Sequence, residues 1–473
     1  MSTYRLKSAF LQQGWTPDVL VTLTDRGFVT AIEQGSPAAT NSAVIEKGTV
    51  IHNIDGVVVP GMPNAHSHAF QRALAGVAEY RSSARDSFWT WREAMYALAA
   101  RIEPDDLKII ATQLFIEMLQ AGYTSVAEFH YLHRARDGTQ YTHKNPLWQA
   151  LESAADEAGI SLTLLPTLYQ TGDFDARPLR ANQARFALDL DSFLRGIEEW
   201  TAAFVKAGNS PHRVGAAFHS LRAVPLDILK SASQALYAID AGMPIHIHIA
   251  EQALEVRSCI AATGRRPIEL LLDQGVITPQ WCLVHATHAT AAELQAVAAC
   301  GAAVCVSITT EANLGDGLFD SSRFLAAAGR LCVGSDSQST VSPAEELRWM
   351  EYQQRLKKRR RNVLASKFEP HCGTRLWSEA ASSGARALGH QAPAIAVGSR
   401  ADWLVLDPDH PTLAGSSPDA TLDHVIFAGA QAAIRDVMVA GRWVIRGGRH
   451  AAAEASRARY AALMRRLRQP TAA

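Results

Sequence analysis

The sequence predicts an α/β chain built as a closed (β/α)8 barrel with a small second β domain assembled from both chain ends. Three observations carry that prediction. Between Val57 and Ser335, eight short apolar runs rich in β-branched residues alternate with stretches of helical periodicity. Each run after the first is preceded by a glycine near the end of its helical stretch. The flanks on either side hold strand-like pieces with little helical pattern.

Residues 1–56 come first, with strands expected at Asp18–Leu23, Phe28–Ile32 and Gly48–His52 between turn residues. The barrel runs follow at Gly56–Pro60, Thr124–Phe129, Ser161–Leu168, Arg213–Phe218, Pro244–Ile249, Trp281–His285, Ala302–Ser307 and Leu331–Ser335. Gly122, Gly159, Gly208, Gly242, Gly275, Gly301 and Gly329 are placed to supply the left-handed residue that closes a helix without a Cβ clash. Helix starts are marked by Glu103-Pro-Asp-Asp, Val224-Pro-Leu-Asp and Thr290 with Glu293. Repeated strand, helix, glycine units argue for a parallel sheet, and eight of them for a barrel spanning 57–394. An open doubly wound sheet is the alternative. It would more often carry a glycine-rich phosphate loop where this chain has Gly61-Met-Pro-Asn-Ala-His66.

Residues 395–450 return to strand-like pieces at Ala401–Asp407, His424–Phe427, Ile434–Val439 and Arg442–Ile445. Each flank is short for an independent core, so 1–56 and 395–450 are expected to pair as one discontinuous β-sandwich domain. The tail, 451–473, reads as a terminal helix.

Composition narrows the function classes. The 473 residues are 48% hydrophobic, enough for a large core, and 46 basic residues balance 46 acidic ones. Zero net charge disfavours nucleic acid or an anionic membrane surface as partner. The basic run Arg355–Arg361 follows a helical pattern and reads as a solvated helix face. No apolar segment follows the N-terminus, and no stretch approaches the roughly 20 apolar residues of a membrane span, so a soluble, cytoplasmic protein is expected. The six cysteines form no Cys-x-x-Cys pair, and most sit in apolar runs as reduced core thiols.

The histidines carry the chemical signal. In Asn64-Ala-His-Ser-His68, directly after the first expected barrel strand, two imidazoles two residues apart point to one side of an extended segment. An isolated His-x-His is more often incidental than a metal site. Here, however, His248 ends the fifth run, His285 the sixth and Asp336 follows the eighth. Five ligand-type residues at the C-terminal ends of four barrel strands would surround one point above the barrel axis. His246 and His288 sit beside better-placed histidines and are expected to make structural hydrogen bonds. Glu251, three residues after His248, falls where strand gives way to loop, so its carboxylate can face that point and shuttle protons; as an alternative it would stabilise a helix N-terminus.

Val59-Pro-Gly-Met-Pro-Asn-Ala-His-Ser-His68, His248 with Glu251, His285 and Ser335-Asp336 together resemble the amidohydrolase superfamily over nearly the whole chain. The absence of a barrel lysine bridging two metals is similar to its mononuclear deaminase branch. That resemblance implies that His66, His68, His248 and Asp336 ligate one divalent metal, usually zinc, while Glu251, His285 and Asp336 handle protons. It also implies a homodimer. Longer motifs, His66–Gly76, Phe88–Tyr96, Glu128–His133 and His219–Val224, are similar to the formimidoylglutamate deiminase family of histidine degradation. The positions matching that family's substrate pocket are Gln71, Arg92, Tyr131, His219, Arg222 and Ser337.

The implied substrate, N-formimino-L-glutamate, carries two carboxylates and an amidine-like group, and Arg92 and Arg222 could each bind a carboxylate through paired hydrogen bonds. The expected reaction is hydrolysis at the formimino carbon with release of ammonia. A deaminase acting on a nucleobase or nucleoside is the rival within the superfamily. A metal-binding scaffold without turnover is the rival outside it, and it would not need Glu251, His285 and the two arginines together.

Overall fold

The computed structural model describes residues 1–34, 50–77, 79–80, 87–141, 145–208 and 210–469. Gly48 and Thr49 of one expected strand lie outside the described residues. Strands β1 (Ser2–Leu11), β2 (Gly14–Leu23), β3 (Val29–Gln34) and β4 (Ile51–Pro60) form the N-terminal flank. The parallel barrel strands are β5 (Met62–Ser67), β6 (Tyr123–His130), β7 (Ser161–Leu168), β8 (Arg213–Val214), β9 (Ala216–Phe218), β10 (Ile245–Ile249), β11 (Trp281–His285), β12 (Ala303–Val306) and β13 (Arg330–Val333). The fourth barrel position is split at Gly215 into β8 and β9, both of which pair with β7. A parallel bridge between Ser67 and Asp336 joins the first barrel strand to the segment after the last and closes the ring.

The two chain ends meet as expected. Strands β14 (Trp403–Leu406), β15 (Ile434–Val439), β16 (Arg442–Arg446) and β17 (Arg449–His450) continue from β4, giving one sheet in the order β17-β16-β15-β14-β4-β1-β2-β3. Its side chains alternate between two cores. Leu6, Val58, Trp403, Val405 and Met438 pack with one another on one face, whereas Val59, Leu404, Leu406 and Val437 join the barrel's core on the other.

That double burial explains the first correction. Gly56–Pro60, expected as the first barrel strand, instead belongs to β4, held between β1 and β14. The barrel begins after the turn at Gly61, where a Cβ would lie 2.3 Å from the Thr124 side chain. A strand covered on both faces reads as an unbroken apolar run wherever it sits. The second correction is His424–Phe427, which is helical within Thr421–Phe427; Leu422, Val425 and Ile426 are buried at three- and four-residue spacing. The helix-closing glycines hold at Gly122, Gly159 and Gly301, each in the left-handed region. Gly329 is kept for another reason, because a Cβ there would sit 2.4 Å from the Phe324 ring.

The C-terminal segment forms a helix over Ala453–Arg468, tied to the barrel by the Arg466–Asp106 ion pair and by Tyr460, whose hydroxyl donates to the Arg72 carbonyl at 3.2 Å. The basic run occupies the last turn of the helix Pro343–Lys358 and the residues after it, with Arg355 paired to Glu351 at 2.6 Å and Lys357 to Asp320 at 3.6 Å. All six cysteines are free thiols. Among the described residues, no helix is long and apolar enough to cross a membrane.

Candidate active site

The C-terminal mouth of the barrel is organised around its closure. The His68 N–H donates to the Asp336 carbonyl at 3.1 Å and the Asp336 N–H to the His66 carbonyl at 3.0 Å, so the backbones of the first and last barrel segments are locked together. Asn64 reinforces the lock, its amide nitrogen donating to Ser335 Oγ at 2.6 Å and its oxygen accepting the Ser335 N–H at 3.0 Å. Gly334 is required by the closeness of this approach, since a Cβ there would lie 2.6 Å from His66 Cβ and 2.7 Å from its carbonyl oxygen. Beneath the turn, buried Glu128 accepts from Ser67 Oγ at 2.7 Å and from the Ala69 N–H at 2.6 Å; burial pushes its carboxyl up to about 8 despite these bonds.

His66, His68, His248 and Asp336 each present one ligand atom, all within 4.8 Å of one another. His248 Nε2 lies 3.1 Å from His66 Nε2 and 3.2 Å from His68 Nε2, and Asp336 Oδ1 lies 3.3 Å from both His66 and His68. A tetrahedral zinc site with bonds of about 2.0–2.1 Å places neighbouring ligand atoms about 3.3 Å apart. The protonation pattern agrees. His68 Nδ1 meets the Phe129 carbonyl at 2.7 Å and His248 Nδ1 meets the His219 carbonyl at 2.9 Å, so both protons sit on Nδ1. The Nε2 lone pairs of His68 and His248 then face each other, an arrangement that a cation between them satisfies. Burial also disfavours the imidazolium forms, lowering His68 to about 3. The donor set fits one divalent ion, and the four residues form a metal-binding group.

Two buried titratable side chains stand beside it. His285, at the end of β11 with φ of 70°, places Nε2 3.8 Å from Glu251 Oε1 and 4.0 Å from Asp336 Oδ2. Its Nδ1 faces Glu311 Oε1 at 3.4 Å. Burial lowers the His285 pKa, but the carboxylates of Glu251, Glu311 and Asp336 outweigh it and raise the ring to about 10. Glu251 is raised to about 7 by burial, with Asp336 and Glu255 adding to the effect and His285 opposing it. Burial also pushes the Asp336 carboxyl up, yet His66, His285 and His68 together hold it below the usual range.

The metal group opens into a narrow cavity of about 50 Å³, lined among others by Gln71, Arg92, Tyr131, His219, Arg222 and Glu251. Arg92 stacks over Trp89 at 4.4 Å, and Arg222 lies 5.8 Å from the same ring. Neither guanidinium has an ion pair among the described residues, and the Nε of each is buried without a hydrogen-bond partner. The Gln71 amide donates to the Tyr131 hydroxyl at 2.7 Å, which leaves the Gln71 oxygen unpartnered. His219 holds His248 through its carbonyl while its ring packs against Tyr169 and Tyr131; burial and Arg222 lower that ring's pKa well below the ordinary imidazole range.

Five of the six expected pocket residues therefore line one cavity. Ser337 does not: it is buried behind Asp336 with its hydroxyl 3.0 Å from Thr310 Oγ1. His246 takes the structural role expected of it, its Nε2 meeting the Ala387 carbonyl at 2.7 Å. Sequence reasoning missed Glu311, whose position just beyond the seventh strand of the ring was the available signal, and Tyr169, which directly follows β7 and lines the cavity.

A barrel closed at a three-histidine, one-aspartate metal group, with a glutamate and a fourth histidine beside it, defines a class of metal-dependent hydrolases. The amidohydrolase family model matches residues 57–444, and the chain belongs to that family. It is 46% identical over 459 residues to the formimidoylglutamate deiminase of Pseudomonas aeruginosa, covering 96% of this chain and 97% of that protein. Among solved structures it is similar to an amidohydrolase from Brucella melitensis, with TM-score 0.90 and 38% identity over 99% of this chain and all of the other. An adenosine deaminase from Xanthomonas campestris with bound zinc shares the fold at TM-score 0.81 and 20% identity, covering 98% of each chain.

Proposed function

We propose that this enzyme hydrolyses the formimino group of N-formimino-L-glutamate to give N-formyl-L-glutamate and ammonia. The observation that carries the reading is the pair of unpaired guanidiniums, Arg92 and Arg222, in the same cavity as the metal group. A cationic donor without an internal partner is matched by a ligand that brings carboxylates. A neutral purine would leave both uncompensated. The 46% identity to a formimidoylglutamate deiminase supports the same substrate.

His66, His68, His248 and Asp336 would hold the ion, and zinc suits their number and spacing. When bound, a divalent metal supplies Lewis acidity, bringing water within reach of deprotonation near neutral pH. The protein's own groups do the rest. Arg92 and Arg222 fix the glutamate carboxylates and so set the formimino carbon against the barrel mouth. Asp336 Oδ2, turned toward His285, accepts the proton of the attacking water with the imidazole at 4.0 Å. Glu251, with a carboxyl near pKa 7, is poised both to take a proton and to return one to nitrogen, so that ammonia leaves. The reading includes the homodimer expected from the sequence resemblance, which sedimentation velocity measures directly.

Product analysis tests this assignment. Mass spectrometry of a completed reaction should find formylglutamate and ammonia in equal amounts. Glutamate with formamide would mean cleavage of the other carbon–nitrogen bond and would overturn the proposed roles at the formimino carbon.

A further inference from the structure

The three metal-facing histidines and His285 differ in what holds their far nitrogen. His68 and His248 each present Nδ1 to a backbone carbonyl, and His66 Nδ1 has no partner among the described residues. His285 alone presents Nδ1 to a carboxylate, that of Glu311. This glutamate opens the helix Ile308–Leu314 that follows β12, the strand neighbouring β11 in the barrel. It is fully buried, and its Oε1 is shared between His285 Nδ1 at 3.4 Å and the Ser307 N–H at 3.2 Å. Its Oε2 has no hydrogen-bond partner. A buried carboxylate so sparsely satisfied is costly to keep for packing alone.

A carbonyl would suffice to orient an imidazole, as it does for His68 and His248. A carboxylate in the same place is a charged acceptor, so it holds the Nδ1–H more firmly than a carbonyl does. We infer that Glu311 is a positioning residue for His285: it fixes a proton on Nδ1 and aims Nε2 into the gap between Glu251 and Asp336. Glu311 does not line the cavity. The inference rests on the proposed catalytic part of His285.

The test is a double-mutant cycle with H285N, E311Q and the double variant, measuring ammonia release, metal per chain and melting temperature. E311Q is expected to lower kcat by about 10- to 100-fold, with KM within about threefold and metal content unchanged. In the H285N background the same substitution should change kcat less than about twofold, because the partner it serves is gone. An equal loss in both backgrounds would make Glu311 an independent structural residue, and an unchanged kcat in E311Q beside an impaired H285N would overturn this inference alone. Wild-type activity in H285N would instead remove His285 itself from catalysis, and Glu311 with it. Histidine-selective 15N spectra, with His285 assigned by its loss in H285N, give a readout independent of turnover: Nδ1 should carry a hydrogen-bonded proton in the parent, and its resonance should shift in E311Q. If E311Q does not fold, E311D in the same two backgrounds is read by the same criteria.

Discussion

Arg222→Met isolates the substrate-binding part of the account. Arg222 lies partly buried at the end of the fourth barrel segment, with no ion pair of its own and an unpartnered Nε. It feels Glu255 and Glu251 without pairing to either, so its donors remain available to the substrate. Truncating one member of a desolvated, hydrogen-bonded charge pair costs about 2–5 kcal/mol. A middle value of about 3 kcal/mol corresponds to a loss of roughly 100-fold or more in kcat/KM. Stability should change little: the substitution removes attraction to Glu255 and Glu251 but relieves repulsion with Arg92, so the melting temperature should stay within a few degrees of the parent. The assay compares ammonia release from formiminoglutamate with release from a formamidine bearing a plain alkyl chain. The variant should lose activity on the first and leave the slow reaction of the second unchanged. Equal losses on both would show that Arg222 acts at the reacting carbon, and no loss on either would refute the carboxylate role.

Three further outcomes follow from the geometry. Glu251→Gln should retain metal but lose about 10²- to 10⁴-fold in kcat, the usual contribution of a positioned acid–base group, with metal analysis and steady-state kinetics as the check. Gly334→Ala should lower the melting temperature and weaken metal retention together, because a Cβ 2.6–2.9 Å from His66 atoms forces apart the strands that carry the ligands; thermal unfolding before and after chelation measures both. Glu346 accepts from the Thr309 N–H and hydroxyl in a fully buried position, and burial raises its pKa from 4.5 to about 8. The folded state then holds a proton that the unfolded chain has released, so stability falls as pH rises from about 4.5 to about 8. Melting curves of Glu346→Gln should show a shallower fall over that window.

Much of this site was legible because barrel chemistry gathers at strand ends. His66, His68, His248, His285 and Asp336 each lie at or just past the C-terminal end of an apolar run, and the fold converts that shared position into one cluster. The strand Gly56–Pro60 was legible as a strand but not as a member of a particular sheet, since Val57, Val58 and Val59 alternate between two cores and leave no polar face to tell them apart. His424–Phe427 misled through brevity, because four residues show no period of their own. Glu311 gave only a positional sign, just past the seventh strand of the ring: Ser307-Ile-Thr-Thr-Glu otherwise reads as a polar helix start, and only the barrel's closure sets that carboxylate against an imidazole 26 positions earlier.

The central claim is that one metal group and two unpaired arginines serve a single substrate. Its most direct test is ammonia release by the zinc-loaded protein supplied with formiminoglutamate, guanine or adenosine, alongside a chelated control. The account predicts rapid release from formiminoglutamate alone, abolished by the chelator and restored by zinc. No release from formiminoglutamate at full metal loading, or turnover of a nucleobase in its place, would contradict it.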